Sequence, residues 1–335
     1  MTEKSANKYF KTLRASKTNT FLNPVRDKMM FFSMCCPICN SDAVDCVGIG
    51  KYFNHTVPTI YCKSCGSYFR GWYCSSWEQQ YYNYQIQYSM TDLLALQIER
   101  QSNFIFHSLK DNLSKYKLLD VGCGAGYLLD RLRSLGVPSN NLLGIEPKSH
   151  VVDQAKKNAR GIDIVCSRFE LWAATHKNSV DFLILSHVLE HLIPPYCNFF
   201  SQCKQVLKPG GLIFVEVPHC EEEVTNPYID GFWKTHVISF SPKGLRTLLE
   251  FNGFYTKKME ASTNINLLNR YQKRIFEDII LSFNRSFKSQ VSVAIENFVR
   301  LLFLECPVKI YQRYVSGTKA RLPGYIIFFG SKNRT

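Results

Sequence analysis

Two cysteine pairs, one glycine-rich turn and three histidines are the residues of this chain best suited to chemistry. Cys36-Pro37-Ile38-Cys39 and Cys62-Lys63-Ser64-Cys65 each hold two residues between their cysteines. Such a turn aims two sulfurs at one point, and two such turns suit a tetrahedral four-thiolate zinc site. A closed site of that kind leaves no position for water, so the zinc would be structural. Cys35 is an alternative to Cys36, and Cys46, Cys74 and His55 are further candidates. Val44 to Ile60, rich in β-branched and aromatic residues, predicts the hairpin of a zinc ribbon. A segment this short would draw its folding energy from the metal.

The glycine turn is Leu118-Leu119-Asp120-Val121-Gly122-Cys123-Gly124-Ala125-Gly126. Its apolar run reads as a buried strand and Tyr127 to Leu132 as the helix after it. Glycine lets the backbone turn through positive φ and leaves no Cβ in a ligand's way. Strand, glycine turn and helix together make a nucleotide-cofactor platform, because the helix start presents free N–H groups. The elements that must position it alternate. Asn141 to Pro147 is a strand ending on Glu146, and Ser149 to Ala159 a helix with Ser149 as its N-cap. Ile162 to Val165 and the almost wholly apolar Val180 to Ser186 are strands, the latter central. Leu192 to Val206 is a helix interrupted early by Pro194-Pro195, Lys208 to Gly211 a turn, and Leu212 to Val217 a strand. This alternation predicts an α/β fold with a doubly wound parallel sheet. Ligands of such sheets lie at the strands' carboxyl ends, which puts Asp120, Glu146, Ser186 and His187 along one crevice. Glu146 stands 24 residues past Gly122, where an acid can accept both hydroxyls of a ribose.

Four ordered motifs carry a family resemblance. Leu119 to Gly126, Gly144-Ile145-Glu146-Pro147, Ser186 to Leu192 and Leu207 to Gly211 resemble those of class I S-adenosylmethionine-dependent methyltransferases, over roughly residues 115–255. The resemblance implies a Rossmann-like seven-stranded sheet ending in an antiparallel hairpin, for which Tyr255 to Ala261 and Gly324 to Phe329 fit. It implies that Asp120, Gly122, Cys123, Gly124 and Gly126 hold the methionine part of the cofactor and that Glu146 and Pro147 border the ribose. Arg168 and Phe169 would lie beside the adenine, and Ser186 and His187 would close the pocket floor. With the four-cysteine module included, the chain is similar to sugar C-methyltransferases of bacterial deoxysugar and surface-polysaccharide pathways. Relatives there show Tyr-x-Glu-His leading to Phe-Ser. Here Trp233 and Thr235 replace the tyrosine and the acid, while His236 and Phe240-Ser241 remain. Oxygen is then as consistent a target as carbon. The acceptor implied is a sugar nucleotide, a surface-glycan precursor or another small molecule. His236, in the loop after the fifth strand, is the first choice of base and His191 the second, since imidazole titrates near neutrality. Glu190 is read as answering a helix dipole.

At 335 residues the chain can hold one large domain and a small one. The division expected is a basic tail over 1–30, the zinc module over 31–75 and a helical, aromatic connector over 76–114. The methyltransferase domain would span 115–335, with a helical insertion at 262–318. The aromatics from Trp72 to Tyr88 suit a seam between modules, or one wall of a pocket. The formal charge is +14, and from Tyr255 onward basic residues outnumber acids fourteen to five. Basic ends suit an anionic partner, but no basic run interleaves with the motifs, so nucleic acid is not expected. The insertion reads as a lid or a homodimer contact, or as basic helices resting on an anionic membrane face. Thirteen cysteines with no apolar leader in Met1 to Phe21 point to reduced thiols and a cytoplasmic setting. RNA methylation and donor binding without turnover are the rival functions.

Overall fold

A computed structural model of the protein describes residues 29–30, 35–52, 55–74, 76–83, 89–221, 235–262 and 325–332. The tail expected before residue 29 and the insertion from 263 onward lie outside the described residues, as do Trp233 and the tyrosines at 84 and 88.

The N-terminal part is a small antiparallel sheet. After β1 (Met29–Met30), the strands β2 (Val44–Tyr52) and β3 (His55–Cys62) form the expected hairpin, with Val44 opposite Cys62. β4 (Tyr68–Arg70) extends that sheet, and β5 (Tyr73–Cys74) pairs with β1. Helices α1 (Ser76–Asn83) and α2 (Asp92–Leu109) lead onward. Thr91 caps α2 by accepting from the Leu94 N–H at 3.2 Å.

The main sheet follows from the alternation read in the sequence. Its strands and helices are β6 (Leu118–Val121), α3 (Tyr127–Ser134), β7 (Leu142–Glu146), α4 (Ser149–Asn158), β8 (Asp163–Cys166), α5 (Phe169–Ala173) and β9 (Val180–Ser186). Then come α6 (Cys197–Val206), β10 (Leu207–Pro218), β11 (Ile238–Ser239), α7 (Pro242–Phe251), β12 (Phe254–Ser262) and β13 (Tyr325–Lys332). Seven of these strands make one sheet in the order β12-β13-β10-β9-β6-β7-β8. The five from β10 to β8 are parallel, and β13 runs antiparallel between β10 and β12. This is the Rossmann-like seven-stranded sheet, ending in an antiparallel hairpin, that the resemblance of the motifs implies.

Side chains alternate across the pleat. Leu119, Val121, Leu183, Leu185, Val215 and Phe328 face one hydrophobic cluster, and Leu118, Phe182, Ile184, Phe214 and Ile327 face the other. The first cluster is continuous with Cys36, Val57, Phe69 and Trp77, so the cysteine module and the main sheet share a core.

Three local expectations need correction. Ser149 is the first residue of α4, not its cap; Lys148 holds that place with no side-chain cap bond, and its N–H is taken by Glu146 Oε1 at 3.0 Å. The helix expected from Leu192 starts only at Cys197, because each proline disfavours helical backbone in the residue before it. A short 3₁₀ turn, Leu189–His191, precedes the position expected for the helix start. Lys208 to Gly211 belongs to β10, whose pairing with β9 shifts register between Leu207 and Leu212.

Candidate functional site

The four-cysteine cluster forms from the expected residues. Cys36 Sγ lies 3.7 Å from Cys65 Sγ, and Cys39 Sγ lies 3.5 Å from Cys62 Sγ. All four sulfurs fall within 4.8 Å of one another. A zinc tetrahedron with bonds of about 2.3 Å has sulfur–sulfur edges of about 3.8 Å, so the donor set fits that ion. Cys46 instead points its thiol at the Gly48 carbonyl, 3.6 Å away.

A cavity of about 770 Å³ opens at the carboxyl ends of β6, β7 and β9, within the range of small-molecule sites. Its near wall is the glycine turn, where Gly122, Gly124 and Gly126 all have positive φ (70°, 52° and 77°). The N–H groups of Gly122 and Cys123 both donate to the Ile145 carbonyl, at 2.8 and 3.0 Å, which pins the turn against β7. A Cβ on Gly122 would meet Val188 at 3.1 Å. Cys123 plays a packing part, since its sulfur fills the space that a Cβ on Gly144 would enter.

Two buried carboxyls face this wall. Asp120 is 2% exposed and its Oδ1 has no hydrogen-bond partner among the described residues. Burial first, and the neighbouring Glu146 second, push it up to about 8. Burial also raises Glu146, opposed by the Lys148 N–H. An unsatisfied buried carboxyl beside a glycine cradle asks for a ligand that brings hydroxyl or ammonium donors.

The far wall is a buried ionic network. His187, at φ 55°, sits between two acids, with Nδ1 3.1 Å from Glu190 Oε1 and Nε2 3.2 Å from Glu216 Oε1. Burial alone would lower its pKa, but the two hydrogen-bonded carboxylates raise it to about 10, so both ring nitrogens donate. Arg100 Nη2 and Gln101 Nε2 also donate to Glu216 Oε1, at 2.6 and 2.7 Å, and Gln101 reaches Ser186 Oγ at 2.8 Å. Burial would raise Glu190, yet His187 brings it down to about 2. Glu190 thus answers His187 and not a helix dipole, correcting the expectation from sequence.

Next to it stand the two remaining histidines. His191 lines the cavity, stacks on Tyr81 with ring centroids 4.8 Å apart and meets His236 edge-on at 4.7 Å. Its Nδ1 donates to the Thr235 carbonyl at 3.0 Å, which leaves the lone pair on Nε2. Burial, then the neighbouring His236, lower it to about 4, with Glu190 opposing. His236 is 6% exposed and lies behind His191, outside the cavity wall. Glu190, His191 and His236 each place one donor atom within 4.8 Å of the others, and Glu190 Oε2 has no hydrogen-bond partner among the described residues.

Of the expected cofactor residues, Asp120, Gly122, Cys123, Gly124, Glu146, Pro147, Arg168, Phe169, Ser186 and His187 all line the cavity, while Gly126 caps α3. Tyr73, Tyr81 and Tyr82 line it too, so the aromatic stretch supplies a wall as well as a seam. Sequence reasoning missed Arg100, Gln101 and Glu216. The available signal was Glu216 itself, an acid inside the apolar run from Leu212 to Val217.

Residues 82–258 match a family model described as Methyltransferase domain. Among curated proteins the chain is similar to a ubiquinone biosynthesis O-methyltransferase of Escherichia coli O9:H4 (strain HS), 29% identical over 136 residues. That match covers 40% of this chain and 55% of the relative. A protein of the same name from Bradyrhizobium sp. (strain ORS 278) is 33% identical over 107 residues, covering 31% of this chain and 40% of its own length. The chain therefore spans about half, or less, of the curated relatives it matches. These relatives are named for ubiquinone biosynthesis, so they lend nothing to a sugar acceptor. A solved SAM dependent methyltransferase from Archaeoglobus fulgidus is 18% identical with a TM-score of 0.41, covering 69% of this chain and 94% of its own.

Proposed function

This chain belongs to the methyltransferase domain family, and on that premise we propose that it moves the methyl group of S-adenosylmethionine onto a hydroxyl carried by a ring. The observation that carries the reading is the cavity that joins the glycine cradle and its two buried carboxyls to a neutral imidazole across the crevice.

Asp120, Glu146 and the turn from Gly122 to Gly126 would hold the donor. When bound, S-adenosylmethionine supplies a methyl group already activated on a sulfonium, so the protein's task is chiefly alignment. His191 would take the acceptor's proton at Nε2, with Thr235 keeping the opposite nitrogen protonated and Glu190 stabilising the imidazolium. Tyr81 and Tyr82 supply the faces on which a flat or pyranose ring stacks. The relatives' names favour an aromatic ring and the cysteine module a sugar ring; both carry the hydroxyl that this arrangement needs. Cys36, Cys39, Cys62 and Cys65 would bind structural zinc.

The test uses 3,4-dihydroxybenzoate and a nucleotide-linked deoxysugar as acceptor probes, following S-adenosylhomocysteine and product mass. His191→Ala is expected to lower turnover about 100-fold or more while leaving S-adenosylhomocysteine affinity near the parent's. Unchanged turnover would remove His191 as the base.

The unpartnered Glu190 Oε2 favours a second reading, in which Glu190, His191 and His236 bind a divalent cation that receives the acceptor oxygen. Two metal equivalents per chain, falling to one in His191→Ala, would select it. Among the described residues no helix is long and apolar enough to cross a membrane.

A further inference from the structure

The cysteine module is hydrogen-bonded into the segment that carries His236. β4 pairs antiparallel with β11, placing Phe69 opposite Ile238 and Tyr68 opposite Ser239. The thiol-bearing turn from Cys62 to Cys65 is the connection between β3 and β4, so the metal knuckle leads directly into the strand that β11 leans on. Arg70, wholly buried, donates its backbone N–H to the Val237 carbonyl at 3.1 Å and its Nε to the His236 carbonyl at 3.3 Å. Ser67 is equally buried and accepts from the Ser241 N–H at 3.0 Å. Ser241 Oγ in turn donates to the carbonyl of Cys65, one of the four thiol residues. The same hydroxyl oxygen caps α7 by accepting from the Gly244 N–H at 2.8 Å. A Cβ at Gly244 would overlap Ser67 Oγ, so glycine is what admits this serine.

From the opposite side the histidine turn takes hold of the same segment. The Val237 N–H donates to the Glu190 carbonyl at 2.7 Å, and the Thr235 carbonyl receives His191 Nδ1. Residues 235–241 thus have two sets of bonds, one to the knuckle and one to the histidines. A strand of only two residues has little stability of its own. Its position is set by whatever holds β4 in place, and β4 follows the knuckle.

We propose that the zinc-loaded cysteine module is a clamp that sets the placement of His236 and the tautomer of His191, with Ser67, Arg70 and Ser241 as its positioning residues. The proposal rests on the reading of the histidine pair given above. It assigns the zinc a selective task, since the clamp touches the proton-accepting side of the crevice and leaves the glycine cradle to β6 and β7.

The test follows hydrogen exchange by mass spectrometry in the full-length zinc-loaded chain, and again after chelation of the zinc. Exchange across 235–245 is expected to accelerate at least tenfold. Residues 118–126 should stay within about twofold, and S-adenosylhomocysteine affinity within about threefold. Unchanged protection at 235–245 would overturn the clamp, and so would equal loosening of both stretches. A second arm keeps the metal in place. Ser67→Ala should retain one zinc per chain yet turn the single Nδ1–H tautomer of His191, read by nitrogen NMR of labelled histidine, into a mixture. Ser241→Thr, which keeps the hydroxyl, should hold the parent's spectrum; a mixed tautomer there, or a single one in Ser67→Ala, would count against the clamp. None of these readouts needs methyl transfer, so failure of the histidine reading, seen as unchanged turnover in His191→Ala, is distinguishable from failure of the clamp.

Discussion

Replacing Glu190 by glutamine removes the buried charge of its pair with half-buried His187 while keeping the shape and one acceptor oxygen. Glu190 is 1% exposed, and its Oε1 holds His187 at 3.1 Å. The fall of this carboxyl from its ordinary 4.5 to about 2 is worth about 3 kcal/mol, because each tenfold change in proton affinity corresponds to about 1.4 kcal/mol. The rise of His187 to about 10 comes from Glu190 and Glu216 together, so it is not added to this figure. Glu190→Gln is therefore expected to lower the unfolding free energy by about 3 kcal/mol at pH 6, read from guanidinium midpoints at unchanged slope. The sign with pH follows from His187. A histidine whose folded pKa is raised stabilises fully below its unfolded value near 6.5, and that contribution is lost as pH climbs through about 10. Glu216 still holds His187 in the variant, so the gap between parent and variant should be full at pH 6 and close only as pH approaches 10. A gap below about 1 kcal/mol at pH 6, or one that stays constant up to pH 10, would refute the ionic network as the source of the shifts.

Two further outcomes follow from the cradle. Asp120, held up to about 8, is mostly protonated at pH 7, and a cationic donor beside it should ionise it. Donor affinity should then rise about tenfold per pH unit between pH 6 and 7.5 and level off above 8, with a proton released on binding; calorimetry in buffers of different ionisation enthalpy reads both, and Asp120→Asn should abolish the slope. Gly144→Ala would bring a Cβ to 2.7 Å from Cys123 Sγ, 2.8 Å from Ile164 Cδ1 and 2.9 Å from Leu129 Cδ1. That overpacking should destabilise the fold by about 1–3 kcal/mol in denaturant titration; a neutral result would mean that β7 shifts to make room.

What the sequence disclosed was local or periodic. The run from Leu118 to Gly126 announces strand, turn and helix because apolar content, an acid and glycines occur in contiguous order. The cysteine pairs announce a metal knuckle because the ligand spacing lies within each turn. What stayed hidden depends on contacts between distant segments. Arg70 reads as an ordinary charged residue, and only the pairing of β4 with β11, more than 160 residues later in the chain, shows why it is wholly buried. The order of the two histidines was likewise illegible, since it is the 3₁₀ turn from Leu189 to His191 that brings His191 to the cavity wall, with His236 behind it. Nothing local in the sequence ties Arg100 and Gln101 on α2 to Glu216 on β10, to which both donate.

The register of β12 and β13 carries one more consequence. Ser262 stands directly opposite Tyr325, and Tyr325 is also opposite Pro218, the last residue of β10. The described ends on either side of residues 263–324, Ser262 and Tyr325, therefore lie side by side as at the tip of a hairpin, level with the carboxyl end of β10. Exchange of that whole stretch for a two-residue turn would ask no strand to move. Such a junction lets the length of the connection change while the sheet beneath keeps its pairing.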